Sequence, residues 1–339
     1  MIASVAGNGS RFGITGIGAY APDKVLTNAD LERMVDTNDE WIVERTGIRE
    51  RRIADASEAA SDLALPACRD ALAQAGLTGA DIDYVVVATA TPDMIFPATS
   101  CILADALGAE KAAAYDLLAG CTGFIYALAQ AYGALAGGLA ERALVVGSET
   151  LSKITNWEDR GTCIIFGDGA GAVVLERVDE GGFEGFELGA DGSRGVDLCV
   201  PAGGSRLPST TEGLEQEAQY IHMNGREVFR FATRVMASSA RELLEECGLD
   251  LGQVDLYVPH QANKRIIDHA AKDMGLDDEK IVINIDRYGN TSSASIPIAL
   301  AEAAEAGRLK EGSTVLMSAV GAGLTWGSAV LTWTNGRTA

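Results

Sequence analysis

The 339-residue sequence has no uncharged apolar run of 18 residues, so no membrane-spanning helix is expected. Its opening stretch, MIASVAGNGSRFGITGIGAY, lacks a basic segment followed by an apolar core. It reads as a short tail and then a strand, not as a signal peptide. Positive charge is scarce: 27 Lys and Arg stand against 48 Asp and Glu, for a net charge of -21. That balance disfavours nucleic acid or an anionic membrane as the main partner, while leaving room for a local basic patch. The six cysteines form no CxxC pair, and zinc-type Cys/His spacing is absent. A reduced, cytoplasmic compartment fits that usage. Imidazole chemistry has only three candidates, His222, His260 and His269.

What is present is a long alternation of Val/Ile-rich segments with Ala-rich ones, which argues an α/β chain. Strands are expected at 11–20, 82–89, 112–119, 142–147 and 161–176. Helices are expected at 31–35, 39–46, 57–76, 99–107 and 122–136, with Ser57 capping the third and Gly76 ending it. The pattern then restarts. Strands are expected at 184–191, 254–259, 280–285 and twice within 313–334. Helices are expected at 224–248, 264–274 and 293–306, and a polar, Gly- and Ser-bearing excursion fills 193–220.

The restart is a repeat. RDALAQAGLTGADIDYVVV (69–87) echoes RELLEECGLDLGQVDLYVP (241–259), with Leu77 matching Leu249 and Asp83 matching Asp255, 172 residues on in both cases. DLLAGCTG (116–123) echoes DRYGNTS (286–292) with one residue removed. Two α/β units are therefore expected, 1–178 and 179–339, sharing a site between them. In this alignment Cys121 and Asn290 are equivalent, and each follows a Gly at a strand-to-helix turn. His260 ends the strand equivalent to 82–88. All three would lie at the same ends of neighbouring strands, where open α/β sheets place ligands.

Cys121 would sit where a strand ends and a helix begins. The unpaired N–H groups and dipole there favour an anion and lower a thiol's pKa, and the thiolate is the nucleophile. A Cys among Ala and Gly is equally a small core residue, and Asn290 beside Gly289 is equally a turn residue. A phosphate loop needs a strand, then glycines, then a helix opening; the glycines of FGDGAGA are flanked by strand-like IIF and AVVL, so the stretch reads as a close backbone approach in a turn.

AGCTGF (119–124), PHQAN (259–263) and YGNTSSASIP (288–297) together resemble the Cys-His-Asn condensing enzymes of the thiolase superfamily. DEWIVERTGIRERRI (39–53), DRGT (159–162), FGDGAGAVVL (166–175) and GLTWGSAV (323–330) are similar to β-ketoacyl-acyl-carrier-protein synthase III. The resemblance runs from about residue 11 to 334. It implies a thiolase-like, duplicated five-layer αβαβα fold and a homodimer. It also implies a decarboxylative condensation of an acyl-CoA starter with malonyl-acyl carrier protein through an acyl-Cys121 intermediate. His260 and Asn290 would donate to the enolate oxygen, and backbone N–H groups of Cys121 and of the loop Gly321, Ala322, Gly323 to the acyl oxyanion. No metal or redox cofactor is implied.

By the same resemblance Trp41 and Arg160 sandwich the CoA adenine, with Thr37 and Arg45 nearby, and Asn263 contacts the pantetheine arm. Phe96 closes the partner subunit's acyl pocket. Arg230, Arg265 and Lys272 match carrier-docking positions, and Arg226, Arg230 and Arg234 recur every four residues on one helix face. The family often has three glycines where this chain has Gly321-Ala322-Gly323, and Phe where it has Leu324. Those residues adjoin the acyl pocket, so starter choice can differ. Rival readings are a condensing enzyme of secondary metabolism with a CoA-bound extender, a Cys-His-Asn hydrolase, and a non-catalytic acyl-binding relative.

Overall fold

The computed structural model describes residues 1–5 and 11–334. The part of the expected N-terminal tail at 6–10, and residues 335–339, lie outside the described residues. In chain order the first elements are β1 (Ile2–Ser4), β2 (Arg11–Tyr20), β3 (Val25–Thr27), α1 (Asn28–Leu31), α2 (Asp39–Thr46), β4 (Glu50–Arg52) and α3 (Ala60–Gln74). Next come β5 (Tyr84–Ala88), α4 (Thr99–Leu107), β6 (Ala113–Leu117), α5 (Gly123–Ala136), β7 (Arg142–Thr150), β8 (Asp168–Val178) and β9 (Gly182–Ala190). β10 (Leu198–Cys199), α6 (Thr211–Glu215), β11 (His222–Met223), α7 (Gly225–Glu246), β12 (Leu256–Pro259) and α8 (Lys264–Met274) follow. The last are α9 (Ile285–Tyr288), α10 (Ser295–Glu305), β13 (Thr314–Gly321) and β14 (Thr325–Thr332).

Two five-stranded sheets carry the chain, in the orders β2-β8-β7-β5-β6 and β1-β9-β14-β13-β12. β5 is parallel to both β6 and β7, and β12 is parallel to β13. Val85–Ala88 of β5 is buried throughout, as a central parallel strand covered on both faces requires. α3 and α4 cover the outer face of the first sheet. α7 and α8 cover the outer face of the second. α5 and α10 lie between the sheets, inside the largest apolar cluster. Sequence decides this layering. The two central helices are apolar on nearly all sides, whereas α7 and α8 keep a polar face for solvent. The result is the expected five-layer αβαβα α/β architecture.

Helices at 39–46, 99–107 and 264–274 form over the expected residues. Other expectations need correction. The tail is partly a strand: β1 pairs antiparallel with β9, on the second sheet. The helix expected at 31–35 lies at Asn28–Leu31, where Thr27 and Asp30 build a capping box. α3 begins at Ala60, not Ser57. Ser57 donates its N–H and hydroxyl to Asp55 (3.0 and 2.8 Å), while the Asp62 carboxylate accepts the Ala59 N–H (2.8 Å). Gly76 ends that helix with a φ of 67°. Residues 161–165 are turn, not strand, because the Asp159 carboxylate gathers the Gly161 N–H (2.8 Å) and the Thr162 hydroxyl (2.7 Å), and Phe166 makes one bridge, to Asn290, before β8 begins.

The strand expected at 280–285 is reduced to one bridge, Tyr257 to Ile281. The Gln261 side chain takes over the ladder: its amide donates to Pro259 O (2.9 Å) and Val282 O (3.0 Å). Its oxygen accepts from the N–H groups of Asn284 (3.1 Å) and Ile285 (3.2 Å). Gly169 and Gly171 of FGDGAGA are in strand β8, not a turn, and Gly167 precedes it. The close approach is there, since a Cβ on Gly171 would lie 2.7 Å from Pro297 Cβ on α10.

Candidate active site

β6 ends at Leu117, and the chain turns at Gly120, whose φ of 54° suits glycine. A single 3₁₀ turn, Gly120–Thr122, then feeds α5. Cys121 therefore stands at a strand-to-helix junction, 9% exposed. The Thr122 hydroxyl donates to Ala119 O (2.6 Å) and lies 2.8 Å from the Thr325 hydroxyl, which ties the turn to β14. The helix end does not set the thiol's acidity. Burial pushes Cys121 up to about 12, and the charge of buried Glu149 adds to it, against some lowering by Ser292. The expectation of a lowered pKa is thus corrected: desolvation outweighs the hydrogen bonds from the Ser292 side chain and the Cys121 backbone that lower it, and the resting group is a thiol.

Glu149, the last residue but one of β7, is fully buried. It accepts from the Ala90 N–H (3.0 Å) and from the hydroxyls of Thr91 (2.9 Å) and Ser293 (2.8 Å). Burial raises its own pKa. The carboxylate ties the end of the first sheet to the turn that follows Asn290.

His260 directly follows β12 and is 1% exposed. Its N–H donates to Ser318 O (2.8 Å), and its Nδ1 lies 2.6 Å from Ser295 Oγ. Burial lowers its pKa to about 3, so the imidazole is neutral. Asn290 is held by its backbone: its N–H donates to Ile165 O (2.9 Å), and its carbonyl accepts the Gly167 N–H (3.0 Å). Its Oδ1 accepts the Ser292 N–H (2.8 Å). That leaves the amide NH2 for the cavity.

Two cavities meet at the sulfur. One, of about 340 Å³, is lined by Cys121, His260, Asn290, Trp41, Arg45 and Asn263 among others. The second, of about 570 Å³, is lined by Cys121 and largely apolar residues, including Leu117, Leu151 and Ile221. Cys121, Phe166 and Leu198 line both. Gly321 and Leu324 face the first cavity, Ala322 and Gly323 the second. The 321–324 segment is a partition between them.

The structure also places the remaining candidates. The Trp41 ring is faced by the guanidinium carbons of Arg160 (5.1 Å) and Arg45 (5.7 Å). Arg160 also donates to Asp36 O (2.9 Å). Thr37 is not among the residues lining either cavity, and its buried hydroxyl has no hydrogen-bond partner among the described residues. Thr46, on the same short helix as Trp41, lines the first cavity instead. Asn263 caps α8 through the Arg265 N–H (2.9 Å) and donates to Arg45 O (3.0 Å). Phe96 lines neither cavity and is 82% exposed beside Ile95. Arg226, Arg230, Arg234, Arg265 and Lys272 are all exposed on the packed pair α7 and α8. Arg230 pairs with Glu227 (2.9 Å), and Arg265 lies over the Phe229 ring (5.3 Å).

Thr46, Phe166 and Gln261 were not singled out from sequence, although each lies inside a motif that was. Phe166 heads the glycine-rich stretch, and Gln261 is the centre of PHQAN.

The chain as a whole is similar to known proteins. Residues 115–192 match the family profile for 3-oxoacyl-[acyl-carrier-protein (ACP)] synthase III, and residues 244–333 match that for its C-terminal part. The chain is 55% identical over 322 residues to a beta-ketoacyl-[acyl-carrier-protein] synthase III of Desulfitobacterium hafniense, covering 95% of this chain and 97% of that one. It is 56% identical to the protein of the same description from Symbiobacterium thermophilum, covering 95% and 98%. The crystal structure of the Thermus thermophilus synthase III superposes with a TM-score of 0.88 at 51% identity, covering 95% and 99%.

Proposed function

The chain belongs to the beta-ketoacyl-[acyl-carrier-protein] synthase III family, and from that premise we propose that the two cavities meeting at Cys121 are its two substrate channels. It is an acyl-transferring condensing enzyme of fatty-acid synthesis that joins an acyl-CoA starter to malonyl-acyl carrier protein. The Cys121 sulfur attacks the starter's thioester carbonyl, and the Sγ–C bond forms as the bond to the CoA sulfur breaks. CoA departs with the thiol proton. The acyl chain then occupies the apolar cavity of about 570 Å³. The malonyl group enters along the Trp41 side, loses CO2, and its carbon attacks the acyl-Cys121 thioester. The Sγ–C bond breaks, β-ketoacyl carrier protein leaves, and the Cys121 sulfur takes up one proton from solvent to restore the thiol.

His260 and Asn290 supply the donors for the enolate oxygen, the former because a neutral imidazole still carries one N–H. A preorganised donor in a site shut off from water is worth about 10²–10³ in rate. The observation that carries this reading is the shared sulfur: Cys121 alone among the three lines both cavities, while His260 and Asn290 line only the one through which the extender arrives. The N–H groups of Cys121 and of the Gly321–Gly323 segment are assigned to the acyl oxyanion, which forms at the partition they build.

Residues 1–178 and 179–339 are taken as two copies of one unit, since the order β2-β8-β7-β5 in one sheet matches β9-β14-β13-β12 in the other. A homodimer without metal or redox cofactor, working in the cytoplasm, completes the proposal. The free edge of β6 and the exposed Ile95 and Phe96 support self-association. The exposed arginines of α7 and Lys272 of α8 suit an acidic carrier.

Mass spectrometry of the intact protein after incubation with a panel of acyl-CoAs tests the assignment. The added mass names the starter. It is expected to vanish in Cys121→Ala, and acylation at any other residue refutes the mechanism.

A further inference from the structure

We propose that Ser295 is a positioning residue that fixes the tautomer of His260, so that the ring presents Nε2–H to the cavity and keeps Nδ1 bare. The inference rests on the reading of His260 as an enolate donor and goes one residue beyond it.

The argument is one of counting protons. Ser295 is the first residue of α10, 2% exposed, in the helical layer between the two sheets. Two polar groups approach its hydroxyl oxygen. One is the backbone N–H of Gln261, at 3.4 Å, which can only donate. The other is His260 Nδ1, at 2.6 Å, which can donate or accept. A hydroxyl has one hydrogen and two lone pairs. With the Gln261 N–H on a lone pair, the hydroxyl hydrogen has one remaining target, Nδ1. If Nδ1 carried a proton instead, two donors would converge on Ser295 Oγ and its own hydrogen would be left unmatched in a buried site, at a cost of about 1–3 kcal/mol.

A neutral imidazole with Nδ1 accepting must carry its hydrogen on Nε2. Burial keeps the ring neutral, so the second proton that would erase the distinction is absent. Nε2 has no partner among the described residues, and His260 lines the cavity that Cys121 and Asn290 also line. The ring therefore enters the condensation step already a donor. The same tautomer leaves no bare nitrogen facing the Cys121 thiol. This agrees with the thiol proton leaving on the CoA sulfur, with no transfer through the ring.

The test uses the full-length protein labelled with 15N-histidine. Three histidines are present, and His222→Asn and His269→Asn assign the signals. At neutral pH the His260 signals are expected to be those of a protonated Nε2 and a bare Nδ1. Ser295→Ala should turn them into a mixture of tautomers, and Ser295→Thr should keep the wild-type pattern. In parallel, condensation by Ser295→Ala should fall in proportion to the fraction of rings that lose the Nε2 hydrogen, about three- to tenfold. Acylation of Cys121 in that variant should stay within about twofold of wild type, because the two half-reactions are read separately.

A bare Nε2 in the wild-type protein overturns the proposal. So does an unchanged tautomer in Ser295→Ala, or an equal loss in both half-reactions. The NMR signals are read without substrate. Failure of Cys121 to acquire an acyl group would therefore end the functional reading and leave the tautomer assignment separately decided.

Discussion

Replacing Trp41 by alanine should weaken the grip on acyl-CoA without touching the chemistry at the sulfur. Trp41 sits on α2, half-buried, with the guanidinium of Arg160 5.1 Å from its ring centroid and that of Arg45 5.7 Å away. An adenine entering between Trp41 and Arg160 gains a stacking contact worth about 1–3 kcal/mol per base. It gives up the Arg160 contact, worth about 0.5–1 kcal/mol at an exposed site. At the midpoints the net gain is roughly 1.2 kcal/mol, close to eightfold in dissociation constant. Trp41→Ala forfeits that gain, and Trp41→Phe should recover part of it.

The assay is the rate of Cys121 acylation against acyl-CoA concentration, quenched and read by intact mass. Half-saturation should move to higher concentration by about five- to tenfold while the saturating rate holds, the signature of lost binding that ground and transition states share. Acyl-pantetheine, which lacks the adenine, supplies the control and should react equally with both proteins. An equal loss with acyl-pantetheine refutes the reasoning, as does a fall in saturating rate at unchanged half-saturation. Trp41 also packs against the Leu31, Ile42 and Ile48 cluster, so the thermal midpoint of each variant should be recorded beside its kinetics.

Alkylation of Cys121 by iodoacetamide should be slow at pH 7 and climb about tenfold per pH unit up to pH 10, because burial holds the thiol near 12 and only the thiolate reacts; a plateau near neutrality contradicts this. His260 makes the fold acid-sensitive. Its folded pKa of about 3 lies below the ordinary 6.5, so the unfolded chain takes the proton first. The stabilisation is complete above about 6.5 and is lost as pH falls toward 3. Urea unfolding between pH 7 and 4 should show a shallower decline for His260→Gln than for wild type. Gln261→Leu strands two buried carbonyls and two N–H groups. It should cost at least about 3 kcal/mol, seen as a lower midpoint in denaturant; a loss below about 1 kcal/mol would show that the ladder role is misread.

Much of the fold was written locally. The apolar strand, Gly120 and the Ala-rich run that follows are enough to place Cys121 at a strand-to-helix turn. α8 runs over its expected residues because its start and stop are written beside it: Asn263 caps one end, and Gly275, with a φ of 70°, ends the other. The misses share a cause. Residues 280–285 have a strand's composition, yet their backbone partners come from a side chain about twenty positions earlier. Asp159 likewise holds 161–165 out of β8. Thr37 precedes α2 and Thr46 ends it, and only the packing of that helix shows which one reaches the cavity.

By itself the sequence determined which groups are available: a sulfur after a tight glycine turn, one imidazole at a strand end, and a carboxamide after a second glycine. Neighbouring residues set φ, ψ and periodicity, and those constraints act within a few positions along the chain. Only the tertiary structure decided that the three groups line one cavity, that Ser295 stands against Nδ1, and that the thiol is protonated at rest. Those properties depend on which surfaces exclude water and which distant atoms come within hydrogen-bond reach, and neither is set until the two sheets close on α5 and α10.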